Sequence, residues 1–181
     1  MASKSGVRKA NEYNRFIAKE WDAGGVYQFY GSRKPRSYIL EVQTTDLIDG
    51  DVLQAAVDRA LKRMPYYAST FVRKRGLYYY ADNRLPLLAA RSEKARSIGG
   101  KETNYHMLDI NYFENVVRFA WFHGLCDGLG INRFAETVLY HYFCIKDGKE
   151  YDDEGIYTDK LPYDDAEIYD AYSEEASVDA R

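Results

Sequence analysis

The residues that could do chemistry in this chain sit in one short stretch, Phe119-Ala120-Trp121-Phe122-His123-Gly124-Leu125-Cys126-Asp127-Gly128-Leu129-Gly130. An apolar run with the character of a buried strand delivers His123 at its end, and Asp127 and Gly128 follow before a helix begins near Leu129. A neutral imidazole is the side chain best suited to taking a proton near pH 7, which makes His123 the candidate general base. Gly124, Gly128 and Gly130 are expected to permit positive φ and close backbone approach, so that the chain turns sharply and holds the ring over an opening. Asp127, placed just before the helix, suits a helix cap. Cys126 lies three residues after the histidine, has no activating neighbour beyond it, and reads as a small apolar filler rather than a nucleophile. A metal would need three or four convergent donors. Of His106, His123, His141 and Asp127 only His123 and Asp127 are close in sequence, so no metal is expected.

The elements that must position this stretch are legible on either side of it. Tyr38-Ile39-Leu40-Glu41-Val42-Gln43 is rich in β-formers and predicts a strand. Asp49 caps a helix in which Leu53, Ala56, Val57, Ala60, Leu61 and Met64 recur on one face, and Pro65 stops it. Tyr66 to Val72 and Leu77 to Asp82 predict a hairpin across Arg73-Lys74-Arg75-Gly76. Alternation would put Tyr79 opposite Tyr78 and Tyr80, and core packing is the expected use of that aromatic run. Leu85 to Gly100 reads as a connection. A second β pair is expected over Tyr105–Asn111 and Asn115–His123, turning near Tyr112-Phe113-Glu114. Its second member is apolar enough to be a central strand covered on both faces. The closing helix carries Ile131, Phe134, Ala135, Val138, Leu139 and Tyr142 on one face and ends at Asp147-Gly148. Ahead of all this, residues 1–34 form an irregular lead-in, with a short helix conceivable over Asn11–Trp21. The layout is α+β: a mixed β-sheet with helices packed on it.

Composition bounds the function. The 181 residues, 46% hydrophobic and 15% aromatic, suffice for a packed core. Two cysteines without a Cys-x-x-Cys signal neither a disulfide framework nor zinc and fit a reducing compartment. No run approaches the roughly 18 apolar residues of a membrane span, and Met1-Ala2-Ser3-Lys4-Ser5 lacks the apolar core of a signal peptide, so a cytoplasmic location is expected. The net charge of −3 hides 22 Lys+Arg against 15 Asp+Glu up to Lys146, and 3 against 13 from Asp147 onward. The acidic residues 149–181 read as a solvated tail or a linker. The mildly basic body could favour an anionic ligand such as a phosphate-bearing cofactor. The basic hairpin tip lacks the interleaved aromatic surface of a nucleic-acid binder, and no nucleic-acid partner is expected.

Taken together, the strand, the helix ending in Met64-Pro65, Gly76-Leu77-Tyr78-Tyr79-Tyr80, and Phe122-His123-Gly124-Leu125-Cys126-Asp127-Gly128 before a helix resemble the amino-terminal half of the coenzyme A-dependent acyltransferase superfamily. That group holds chloramphenicol acetyltransferase, condensation domains of nonribosomal peptide synthetases and bacterial alcohol acetyltransferase-like proteins. The last branch is the most similar, sharing the helix pattern Gly130, Phe134, Val138-Leu139. The resemblance covers residues 35–148 and implies acyl transfer from acetyl-CoA or another acyl-CoA to a small alcohol or amine, with His123 as base. It gives Asp127 a structural role, holding the turn through an ion pair. Two places depart from the pattern: Phe122 stands where condensation domains and chloramphenicol acetyltransferase carry a first histidine, and Ala68 where condensation domains carry the arginine that pairs with the motif aspartate. The resemblance also implies a second, carboxy-terminal lobe that walls the site and steadies the oxyanion. A chain of this length would then need that lobe, a homo-oligomer, or its own segment from Tyr151 onward packed against the open surface through Tyr163, Ile168, Tyr169 and Tyr172. The alternative is a non-catalytic acyltransferase-like lobe that binds or scaffolds.

Overall fold

The computed structural model describes residues 8–9, 14–20, 37–74, 77–161 and 167. The central element order is β3 (Tyr38–Gln43), α1 (Gly50–Arg63), β4 (Ser69–Lys74), β5 (Leu77–Asn83), β6 (Ala89–Arg91), β7 (Leu108–Phe113), β8 (Val116–Trp121) and α2 (Gly128–Asp147), preceded by β1 (Arg8–Lys9) and β2 (Asn14–Glu20). The strands form two four-stranded sheets, ordered β3-β8-β7-β6 and β1-β4-β5-β2. Each mixes directions: β6 runs parallel to β7 and β1 parallel to β4, while the remaining pairs are antiparallel. The Met107 amide donates to the Ser69 carbonyl at 3.2 Å, tying the start of β7's strand run to the hairpin of the other sheet.

Both helices cover one face of the β8 sheet. Register places Leu40 opposite Phe119 and Ile110 opposite Phe119 on the other side, and alternation along a strand keeps such residues on one face. There they meet Leu53, Ala56, Val57 and Ala60 of α1 and Ile131, Phe134, Ala135, Val138 and Tyr142 of α2 in a single core. Each large side chain so buried contributes about 1.5–3 kcal/mol. Asp49 caps α1 by accepting from the amides of Asp51 and Val52 at 3.0 and 3.1 Å. Its own amide donates to the Tyr142 hydroxyl at 3.0 Å, pinning the start of α1 to α2. Gly148, at φ 64°, ends α2 in the left-handed conformation that glycine adopts without a Cβ penalty.

The opposite face of the sheet is polar where the first is oily. Asp109 and Asn111 of β7 are fully buried there. Asp109 accepts from the Arg96 amide at 2.7 Å, from Arg96 Nε at 2.8 Å and from Asn111 Nδ2 at 2.9 Å. The same guanidinium donates to the carbonyls of Glu102 and Leu88, each at 2.8 Å, so one side chain gathers an irregular segment onto the sheet. Arg118, paired in register with Asn111, bonds Glu41 of β3.

Several expectations shift. Asn14–Glu20 is a strand, not a helix: β2 pairs antiparallel with β5, and non-local pairing overrides a weak local preference. The connection from Leu85 to Gly100 holds the three-residue strand β6, too short to show a period. Tyr66 and Tyr67 belong to a 3-10 turn, Pro65–Tyr67, so β4 begins later than expected. Tyr105, at φ 63°, is in a turn before β7, and the β7–β8 turn falls at Glu114-Asn115. The side chains of Tyr78, Tyr79 and Tyr80 and the tip residues Arg75 and Gly76 lie outside what is described.

Candidate functional site

β8 lies between β3 and β7 and ends at Trp121. The two residues on either side of the strand's end anchor it in opposite directions. Trp121, in the helix-side core, donates its indole N–H to the Cys126 carbonyl at 3.0 Å, bridging the turn from strand to helix. Phe122 keeps the ladder through its amide to the Met107 carbonyl at 3.0 Å and packs in a second small core with Phe71, Ile98 and Met107. Its ring meets Phe71 edge-on at 5.7 Å. An aromatic hydrocarbon is what that pocket takes, which accounts for phenylalanine at 122. His123 is then left exposed at the start of a turn closed by the Leu125 amide on the Phe122 carbonyl at 2.8 Å. The imidazole meets the Tyr38 ring edge-on at 4.9 Å, and Tyr38 in turn lies 5.8 Å from Trp121.

The glycines divide. The described glycines at positive φ are Gly99, Gly148 and Gly155, so the turn is made without the left-handed backbone expected for Gly124, Gly128 and Gly130. A turn with its first amide bonded three residues back needs only negative φ values in its commonest form. Close approach, the other half of the expectation, holds at Gly130, where a Cβ would sit 2.9 Å from the Cys126 Cβ, 3.2 Å from the Tyr67 hydroxyl and 3.3 Å from Asp127 Oδ1. At Gly128 a Cβ would meet nothing.

Asp127 is exposed and caps α2: its Oδ1 accepts from the Gly130 amide at 2.7 Å. The five ion pairs found among the described residues do not include it. Of the two expectations for Asp127, a helix cap and an ion pair, the cap is the one its geometry matches. Tyr67, which the sequence did not single out, braces the turn from the far side. Its hydroxyl donates to the Gly130 carbonyl at 2.6 Å, and its ring stacks on Phe134 at 4.3 Å. Burial pushes the Cys126 thiol up to about 12, against the pull of its hydrogen bond with Tyr67, and the charge of Asp127 adds to the rise. Such a thiol is almost wholly protonated near neutrality and is not a nucleophile.

The other histidines are elsewhere. His106 is buried with one ring nitrogen 2.8 Å from the Leu85 carbonyl. His141 is buried on α2, where desolvation, and then the charge of Arg59, lowers its pKa. Among the described residues no group of three or more His, Cys, Asp or Glu gathers as a metal site would, and no described helix is long and apolar enough to cross a membrane.

The described part of the acidic segment lies on the helix layer. Tyr157 packs against the core with Arg63 and Arg133 against its ring at 5.1 and 5.2 Å. Glu167 accepts from both terminal nitrogens of the buried Arg63, at 2.6 and 3.1 Å, and from the Tyr66 hydroxyl at 3.3 Å. Tyr163, Ile168, Tyr169 and Tyr172 lie outside the described residues.

No family model matches the sequence, and no curated protein matches it. Solved structures do match the fold. Polyketide synthase associated protein 5 from Mycobacterium tuberculosis is 16% identical, with a TM-score of 0.57 over 82% of this chain and 37% of that one. The starter condensation domain of a rhizomide synthetase is 13% identical, with a TM-score of 0.54 over 71% of this chain and 37% of its own. The epimerization domain from the third module of tyrocidine synthetase B is 13% identical, with a TM-score of 0.53 over 92% and 41%. The likeness is one of fold, α+β and condensation-domain-like. The chain spans about two fifths of the length of each.

Proposed function

We propose that this chain is the amino-terminal lobe, residues 35–148, of a coenzyme A-dependent acyltransferase in which His123 is the general base. The observation that carries the proposal is the placement of His123: an exposed imidazole on a turn that directly follows buried Trp121 and Phe122, which pack into two different cores. An acceptor alcohol or amine gives its proton to the imidazole as its oxygen or nitrogen attacks the thioester carbonyl. The tetrahedral oxyanion collapses, the carbon–sulfur bond breaks, and the imidazolium returns the proton to the departing thiolate. Thiolate leaves readily, so no acyl-enzyme is needed, in keeping with a Cys126 thiol held protonated. A positioned base contributes typically 10²–10⁴-fold. A variant of the rhizomide starter condensation domain has been seen in complex with C8-CoA, which supports an acyl-CoA as the donor here. The span of two fifths of the neighbours' length supports a second lobe, or a second copy, as the other wall of the site. The free cysteines Cys126 and Cys144 suit a cytoplasmic setting.

The test is thioester turnover by the complete protein, wild type against His123→Ala. The expected loss is on the order of 10²–10⁴ in rate; an unchanged rate removes the base assignment and leaves the alternative, a lobe that binds or scaffolds. The 181-residue chain by itself is expected to show no turnover, and robust activity from it would remove the need for a second wall.

A further inference from the structure

We infer that Tyr38 is a positioning residue of the site, holding the His123 imidazole in one rotamer. The inference rests on the general-base reading and extends it to a residue outside the motif. Tyr38 opens β3, and its register partner is Trp121, two residues before the histidine on the adjacent strand. Its ring bridges the two: 5.8 Å from Trp121 and 4.9 Å from His123, at 63° to the imidazole. The indole beneath is itself fixed by its bond to the Cys126 carbonyl. The result is a short aromatic column rising from the core to the exposed imidazole.

Tyr38 remains 57% exposed, so the contact is not a by-product of core burial. The backbone at 123 is set by Phe122 and by the turn, but for an exposed side chain the backbone biases the χ1 rotamer without fixing it. An exposed imidazole has three staggered χ1 wells open to it. A general base must bring its nitrogen within about 2.6–3.2 Å of the proton it removes, a tolerance that one well satisfies and the others miss. An edge-to-face aromatic contact is strong enough to bias such wells by roughly 3- to 10-fold. The ring, not the hydroxyl, supplies it.

The first measurement is the set of three-bond Hα–Hβ couplings of His123 in the 181-residue chain, for wild type, Tyr38→Phe and Tyr38→Leu. The expected result is one dominant χ1 well in wild type and Tyr38→Phe and averaged couplings in Tyr38→Leu, with the melting temperature unmoved because the site is exposed. Averaged couplings in wild type, or a fixed ring in Tyr38→Leu, would overturn the inference. The second is turnover by the complete protein, where Tyr38→Leu is expected to lower kcat by roughly 3- to 10-fold with KM nearly constant, and Tyr38→Phe to retain it. Averaged couplings with an unchanged kcat would show that holding the ring does not serve the base, overturning the positioning role. If His123→Ala leaves turnover intact, the base reading fails instead, and the couplings still decide whether Tyr38 holds the ring.

Discussion

At Asp109 a carboxylate is fully buried and met by a backbone amide and a guanidinium of Arg96 and by an asparagine amide, whereas at Asp127 an exposed carboxylate accepts from the single amide of Gly130. The two regions solve different problems. Around Asp109 an irregular segment must be fastened to a sheet face, and a charge removed from water is tolerable only when its partners are complete. Around Asp127 the turn leaves the imidazole exposed, and the contacts found there among the described residues involve no buried charge: a helix cap, an indole N–H, a phenol and a close approach at glycine. Charge pairing holds shape at the first; at the second an exposed cap and neutral donors do.

The sharpest way to break this comparison is at its buried end. Asp109→Ala leaves Arg96 without its carboxylate and is expected to cost about 3–5 kcal/mol, read as a lowered denaturant midpoint at unchanged slope. A loss below about 1 kcal/mol would mean that the pair does not fasten the segment. Next comes the thiol in the turn. With Cys126 near 12 against about 8.5 for an ordinary cysteine, its alkylation at pH 8 is expected to be slower than that of a model thiol by about three orders of magnitude in thiolate fraction. Fast labelling assigned to Cys126 by peptide mapping would reopen its candidacy as a nucleophile. Gly130→Ala puts a methyl 2.9 Å from the Cys126 Cβ and is expected to cost about 1–3 kcal/mol by overpacking, while Gly128→Ala, with nothing near it, should cost no more than a few tenths. Equal effects at the two glycines would contradict the close-approach account. The smallest effect is at Asp127: about 1 kcal/mol for Asp127→Ala and near zero for Asp127→Asn, since asparagine caps as well as aspartate. A loss of several kcal/mol in Asp127→Asn would point to a charge partner after all.

Local patterns carried the elements whose stability is local in origin. The buried stripe Leu53-Ala56-Val57-Ala60, the cap at Asp49 and the stop at Gly148 are each written in a few neighbouring residues, and they appear where expected. The strand leading to His123 was legible for the same reason, although it ends at Trp121, two residues short of the expected His123, and leaves the imidazole on the turn that follows. What the sequence concealed depends on pairing between distant segments. Nothing near Asn14–Glu20 announces a strand, because its partner is β5. Tyr38 and Tyr67 look like ordinary β-prone or turn aromatics until register and the helix crossing bring them to the turn. The glycines were legible as a group but not individually: close approach at Gly130 requires knowing that Cys126 and Tyr67 face it. Arg96 and Asp109 carried no signal, since an arginine and an aspartate thirteen residues apart are unremarked until a sheet face seals them together.

The phenol of Tyr67 spans 63 residues of chain to reach the Gly130 carbonyl. Because such a contact closes a long loop, the first turn of α2 is expected to reach its final form only after the hairpin and the β7–β8 pair have brought it back to the end of α1. The same link sets how the folded protein breathes. The end of α1 and the start of α2 are expected to open together, so that the amides of Gly130 and Ile131, which donate to Asp127, exchange their hydrogens at a rate tied to the Pro65–Tyr67 turn.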